Sequence, residues 1–357
     1  MELTTLTTYV EKLENYLQWD PIQNRQGQEK HLFVQALTEL AALPLDSINM
    51  EIRRLLVVPT TGTLSQETTL NTIDYHTGKV ETRPMHLRNV IAALSARDVL
   101  LKCKAANAVG SLCISRVAGQ QLLDLYGDEI LKSVSKMAMG KNQWMQGDAF
   151  FVLGWMVVIA DKSMLVSIGD LLPTVIRGLH RNLKLSLEKE ADADKEMKKV
   201  ARRRSKAALI SSEQASNFRI YALVLLLNFS QRHVNVFENQ LERLLPMLRD
   251  LVARLLDSVP YAFVDDECTI SDLTTTIFFD ASEYAEVLRL TVALLSVIAD
   301  QLDSVGPQLL ELKALPCIIK LQRVPDLPQI CELVGETARQ DIAERVRAVV
   351  EILLKCR

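Results

Sequence analysis

Apolar residues return every three or four positions through most of this chain, the spacing that gives an α-helix one apolar face. Before residue 58 the pattern runs through YVEKLENYL, EKHLFVQALTELAAL and SINMEIRRLLVV. Asp20-Pro21 separates the first of these helices from the second, because a proline drives the residue before it out of the helical region. At 149–160, AFFVLGWMVVIA is apolar on every side and is bracketed by Asp148 and Asp161. A bilayer span needs about 20 residues, so this shorter run predicts a fully buried helix. Residues 58–84 break the pattern. Within them, TIDY-HTG-KVET alternates polar and apolar positions around a Gly turn, which fits a small hairpin. A surface loop is the competing reading.

Two phrases recur. LPTVIRGL at Leu172, LPMLRDLV at Leu245 and LPCIIKLQ at Leu315 each place Leu-Pro ahead of an aliphatic residue, namely Val175, Leu248 and Ile318. Proline suits the first turn of a helix, where its missing N–H has no partner to lose. DEILKSV is a weaker copy, with Glu129 in the proline's place and Leu131 matching Val175. The second phrase reads as a buried helix: NAVGSLC, FVLGWMV, VLLLNFS and VALLSVI, aligned at Ser111, Trp155, Asn228 and Ser296. From these points to the next Leu-Pro point the intervals are 18, 18, 18 and 20 residues. The first full period, Glu129 to Pro173, is 44 residues. That falls inside the range of about 40–47 residues used by two- and three-helix repeats.

KCKAANAVGSLCIS and ALPCIIKLQRV resemble the third and second helices of armadillo repeats, and the resemblance covers roughly residues 84–357. It implies an all-α fold, a right-handed armadillo/HEAT-like α-solenoid with an irregular N-terminal cap and inserted loops. In such a fold, helices too apolar to stand alone bury their faces against the next repeat. Length by itself suggests about two domains. The repeat replaces that expectation with a single solenoid over 1–357, made of a helical cap at 1–58, an irregular insertion at 59–84 and repeats over 85–357. Armadillo proteins that hold extended peptides often carry Asn on successive third helices, with Trp one turn earlier. The matching positions here are Ser111, Trp155, Asn228 and Ser296, preceded by Asn107, Phe151, Val224 and Val292. Only Asn228 keeps the Asn and no Trp is in register, which argues against backbone capture of the import-receptor kind.

From each Leu-Pro point to the next buried helix the interval is 26, then 55, then 50 residues. Two repeats therefore carry extra chain at the same corner, at 184–216 and 259–282, and insertions at one corner often form a binding face. Residues 184–206 hold nine bases and five acids, whereas 261–286 hold seven acids and neither Lys nor Arg. The partner-binding candidates are Lys198, Lys199, Arg202, Arg203, Arg204 and Lys206 on the basic side and Asp265, Asp266 and Glu267 on the acidic side. Trp155 and Asn228 join them from the third helices. KKVARRRSK also has the form of a nuclear-import or phosphate-binding run. Against a nucleic-acid role, no aromatic between Lys184 and Asn217 could stack a base. The net charge of −3 supplies no general attraction to a polyanion either.

Composition agrees with helices: 48% hydrophobic residues, 5% aromatics and few Gly or Pro. The six cysteines form no C-x-x-C pair and read as reduced thiols in helical apolar patterns. His31, His76, His86, His180 and His233 are scattered, with no H-E-x-x-H among them. TGKV at Thr77 lacks both the first Gly and the final Ser or Thr of a phosphate-binding loop, and there is no G-x-S-x-G. The N-terminus has neither the basic start nor the apolar run of a secretory leader. These features predict a non-enzymatic scaffold, adaptor or assembly chaperone with a protein partner, no cofactor, no metal and a cytoplasmic location, with the nucleus left open. The alternative is a nuclear-transport or nucleic-acid-associated adaptor acting through 195–206.

Overall fold

The computed structural model describes residues 28–42, 69–73, 80–84, 86–183, 205–258 and 279–357. The candidates Lys198 to Arg204 and Asp265 to Glu267 lie outside them, as do the expected helices at either side of 28–42. The chain packs as two compact units, Met1–Ile168 and Gly169–Arg357. Apart from one hairpin, the described elements are helices, and none is long and apolar enough to cross a membrane.

The first unit begins with α1 (Gln28–Ala41), which follows the EKHLFVQALTELA pattern and buries Phe33, Ala36, Leu37 and Leu40. The hairpin follows: β1 (Thr69–Ile73) pairs antiparallel with β2 (Val80–Pro84), Thr69 opposite Pro84 and Ile73 opposite Val80. The alternating pattern thus forms strands and not a loop. Next come α2 (His86–Ala93), α3 (Val99–Ile114), α4 (Arg116–Ala138), α5 (Gln143–Ile159) and α6 (Lys162–Gly169). Helix α3 packs on α1, and α5 packs on both α3 and α4.

Side-chain caps set the helix starts by satisfying N–H groups that have no partner within the helix. The Asp98 carboxylate accepts from the Leu101 N–H at 3.2 Å ahead of α3. Asn142 accepts from the N–H groups of Trp144 and Met145 ahead of α5. Asp98 also pairs with Lys30, tying α1 to the start of α3. Where Glu129 stands in place of proline, nothing interrupts the chain, and α4 runs unbroken for 23 residues.

The second unit holds α7 over residues 172–183, α8 (Ser205–His233), a 3₁₀ segment Val234–Gln240 and α9 (Leu241–Ser258). It continues with α10 (Ala281–Gln301), α11 (Val305–Glu311), α12 (Leu315–Leu321), α13 (Pro328–Val334) and α14 (Glu336–Lys355). Helices α8, α10 and α14 form one row in which each packs on the next. Pro316 stands in the first turn of α12 as its missing N–H requires. Pro246 does not stand in a first turn: α9 starts five residues earlier, at Leu241, because the buried Leu241 and Leu244 extend its apolar face upstream. Residues 205–216, expected as inserted chain, are helical and continuous with the third helix they precede. Between α13 and α14 the backbone turns at Gly335 with φ +76°, a conformation that a side chain would strain.

Candidate protein-interaction face

Helices α3 and α5 place equivalent residues 44 apart in sequence: Leu100 and Trp144, Lys104 and Asp148, Asn107 and Phe151, Ser111 and Trp155, Ile114 and Val158. Steps of four and three residues keep each set on one side of its helix. On α5 that side is open. Gly147, Ala149, Phe150, Val152, Leu153, Met156 and Val157 are buried. Trp144 is 47% exposed, Val158 is 36% exposed, and Asp148, Phe151 and Trp155 are half-buried. The apolar run at 149–160 was expected to be fully buried. It is not, because neighbours cover only part of the circumference of a third helix.

The row is built closely against α3. A Cβ placed on Gly110 would lie 2.4 Å from Cδ1 of Phe151, so the ring rests where a side chain on α3 would otherwise project. Asn107 Nδ2 donates to Asp148 Oδ1 at 3.3 Å, and the Cys103 thiol also bonds the Asp148 carboxylate. Burial pushes the Asp148 pKa up to about 6, against the lowering effects of those two hydrogen bonds and of nearby Lys104. The Cys103 thiol is pushed far up by burial and then by Asp148, and burial takes Cys113 to about 12. Neither is a nucleophile at neutral pH, since the thiolate is the reactive form.

The second unit carries a different arrangement. Arg219 on α8 is 3% exposed; its Nε donates to Glu283 Oε1 at 2.5 Å, and its Nη1 donates to Asn182 Oδ1 at 3.1 Å. The guanidinium also lies 5.3 Å from the centroid of the Phe279 ring. Asn182 lies just before the insertion at 184–216, Phe279 near the end of the insertion at 259–282, and Glu283 just after that insertion, within the acidic stretch. Tyr284 donates its hydroxyl to the carbonyl of Leu255, near the chain that leads into the acidic segment. Ends of both charged segments therefore meet around one buried arginine.

Of the sequence candidates, Trp155 stands half-buried in the α5 row, and Asn228 stands half-buried on α8 with Tyr221 and Val224 on the same side. Lys206 falls in the first turn of α8. Of the ladder positions, Ser111 and Val292 are buried. Ser230, the last residue of the glycosylation-like Asn228-Phe-Ser triplet, is 1% exposed and donates to the Leu227 carbonyl. Sequence reasoning passed over Trp144 and Asp148. The 44-residue offset from Leu100 and Lys104 was the signal that could have found them. Among the described residues, no three His, Cys, Asp or Glu side chains gather as metal ligands.

No known protein-family profile and no characterised protein sequence matches the chain. Solved structures do match its fold. An engineered protein from a structural genomics consortium aligns with a TM-score of 0.52 at 13% identity, covering 96% of this chain and 98% of that one. A designed armadillo repeat protein in complex with the peptide (KR)4 aligns at 0.51 and 14% identity, covering 96% and 99%. A second designed armadillo repeat protein gives 0.51 and 15%, with the same coverage. The chain thus has an all-α, armadillo-like repeat fold.

Proposed function

We propose that this chain is a non-enzymatic protein-interaction scaffold. It holds a segment of a protein partner along the open side of α3 and α5, and the paired charged insertions at 184–216 and 259–282 give it a second contact surface. The carrying observation is the row of Trp144, Phe151 and Trp155 left partly open beside a carboxylate. Large aromatics bury much apolar area for little lost conformational freedom and dominate the energetics of protein interfaces. The peptide complex of the designed armadillo protein supports a peptide-like partner, since a protein of similar fold binds one.

Panning a display library of random octapeptides against the chain tests this. The expected result is a set of binders that compete with one another and whose affinity for Trp155→Ala falls at least about tenfold, the loss of a typical aromatic hot spot. Enrichment no greater for the natural chain than for Trp155→Ala would overturn the reading.

A further inference from the structure

The Leu-Pro helices of the second unit share a register that sets which side of each is buried. Two places after Pro173 on α7, Pro246 on α9 and Pro316 on α12 stand Val175, Leu248 and Ile318, all buried. Residues four and eight places after each proline lie on the opposite side of the helix. Four places on are Arg177, Asp250 and Lys320; eight places on are Arg181 and Arg254, with Arg323 one place earlier in the turn that closes α12. Arg177, Arg181, Lys320 and Arg323 are exposed. The three helices are neighbours: His180 Nε2 on α7 stands 3.4 Å from Asp250 Oδ2 on α9, and α9 packs on α12.

This stripe is basic and largely unmatched. Residues 172–183, 245–258 and 315–324 hold six Lys or Arg against two acids, Asp250 and Asp257. Asp250 is already met, since Arg249 donates to its Oδ1 from Nε at 3.0 Å and from Nη2 at 2.6 Å. Among the described residues, no carboxylate pairs with Arg177, Arg181, Lys320 or Arg323. Packed helices lie about 8–10 Å apart and one turn rises about 5.4 Å. Neighbouring cations therefore stand within roughly one Debye length at physiological salt, and their fields add.

We propose that this stripe docks a short acidic segment of a protein partner. Carboxylates of the segment meet Arg181, Lys320 and Arg323, and an apolar side chain meets Ile319, which is 43% exposed beside Lys320. The surface lies on other helices than the α3 and α5 face and does not depend on it. Two observations favour a protein segment over a nucleic acid. None of the three basic stretches holds an aromatic residue that could stack a base. The whole chain is at −3 although the stripe is positive, so the remainder is net acidic and repels a long polyanion.

The test uses the full chain and fluorescence anisotropy with three labelled probes: a decapeptide of Glu with one central Leu, its counterpart with Gln for each Glu, and a DNA duplex of about 20 base pairs. The Glu peptide should bind at least about tenfold more tightly than the Gln peptide, as four exposed ion pairs of about twofold each would give, and about 0.5 M salt should erase the difference. Arg181→Glu, Lys320→Glu and Arg323→Glu together should abolish it, with a melting temperature close to that of the natural chain, as expected of exposed side chains. If that variant melts much lower, Arg181→Gln and Lys320→Gln taken singly should each still cost about twofold in affinity. Changing Arg202, Arg203 and Arg204 to Ala should leave the affinity within about twofold, which separates the stripe from the basic insertion. Equal binding of the two peptides, or a Glu preference that survives the stripe variants, would overturn the inference. So would a loss as large in the Arg202–Arg204 variant. A duplex that binds more tightly than the Glu peptide, and is lost with the same stripe residues, would overturn the assignment of a protein partner.

Discussion

Asp148 should lower the stability of the fold that carries it, since burial raises its pKa. Burial disfavours the ionised form and pushes the Asp148 pKa up to about 6, against about 3.9 for a free aspartate. Between those values the folded state binds more protons than the unfolded one, so stability falls as pH rises through that window. Each pKa unit is worth about 1.4 kcal/mol; allowing for partial exposure, the cost at neutral pH is about 1–2 kcal/mol. Asp148→Asn should therefore unfold in urea about 1–2 kcal/mol later than the natural chain at neutral pH, with the gap closing by about pH 4. A gap that does not change with pH would show that the carboxylate is not strained. In the sequence Asp148 looked like the polar end of an apolar run. Its meaning depends on α3 lying beside α5, and only three-dimensional packing supplies that.

At the scale of helices, periodicity carried most of the fold. The buried phrases became α3, α5, α8 and α10, and the Leu-Pro phrases became the second helices. The errors were at boundaries. Pro246 was placed in a first turn, but the Leu side chains upstream favour helix strongly enough for α9 to begin before it. Residues 205–216 read as insertion because spacing counts extra chain without saying whether it coils. The Arg219–Glu283 pair left no trace in the sequence, since its members are 64 residues apart and neither sits in a motif. Its energetics follow from burial. Removing one partner strands a charge in the interior, so Arg219→Leu and Glu283→Leu should each cost about 3–5 kcal/mol. The double variant should recover much of that loss, because two apolar side chains of similar size leave nothing unpaired. Chemical denaturation of the four proteins gives the cycle, and strictly additive losses would show that the pair is not coupled.

Across the whole molecule the charge is nearly balanced at −3, yet it is segregated: the basic excess at 184–206 and the acidic stretch at 261–286 begin and end around the same buried arginine in the second unit. Opposite charges held at such close roots attract, although each solvated pair adds only about 0–1 kcal/mol. Changing Arg202, Arg203 and Arg204 together to Glu reverses the densest part of the basic side and takes the net charge from −3 to −9. The described core of the second unit contains none of these residues, so the melting temperature should stay within a degree or two of the natural chain, as expected for solvated charges. Zero-length carbodiimide coupling should respond differently. In the natural chain, Lys198 or Lys199 should join to Asp265, Asp266 or Glu267. In the variant the yield should fall, because three new carboxylates repel the acidic segment, and about 0.5 M salt should weaken the natural coupling in the same direction. If the run instead serves as a nuclear-import address, the variant should shift towards the cytoplasm with coupling unchanged. A large fall in melting temperature would mean that the run is packed into the fold, and the two segments could then not form the second contact surface proposed for them.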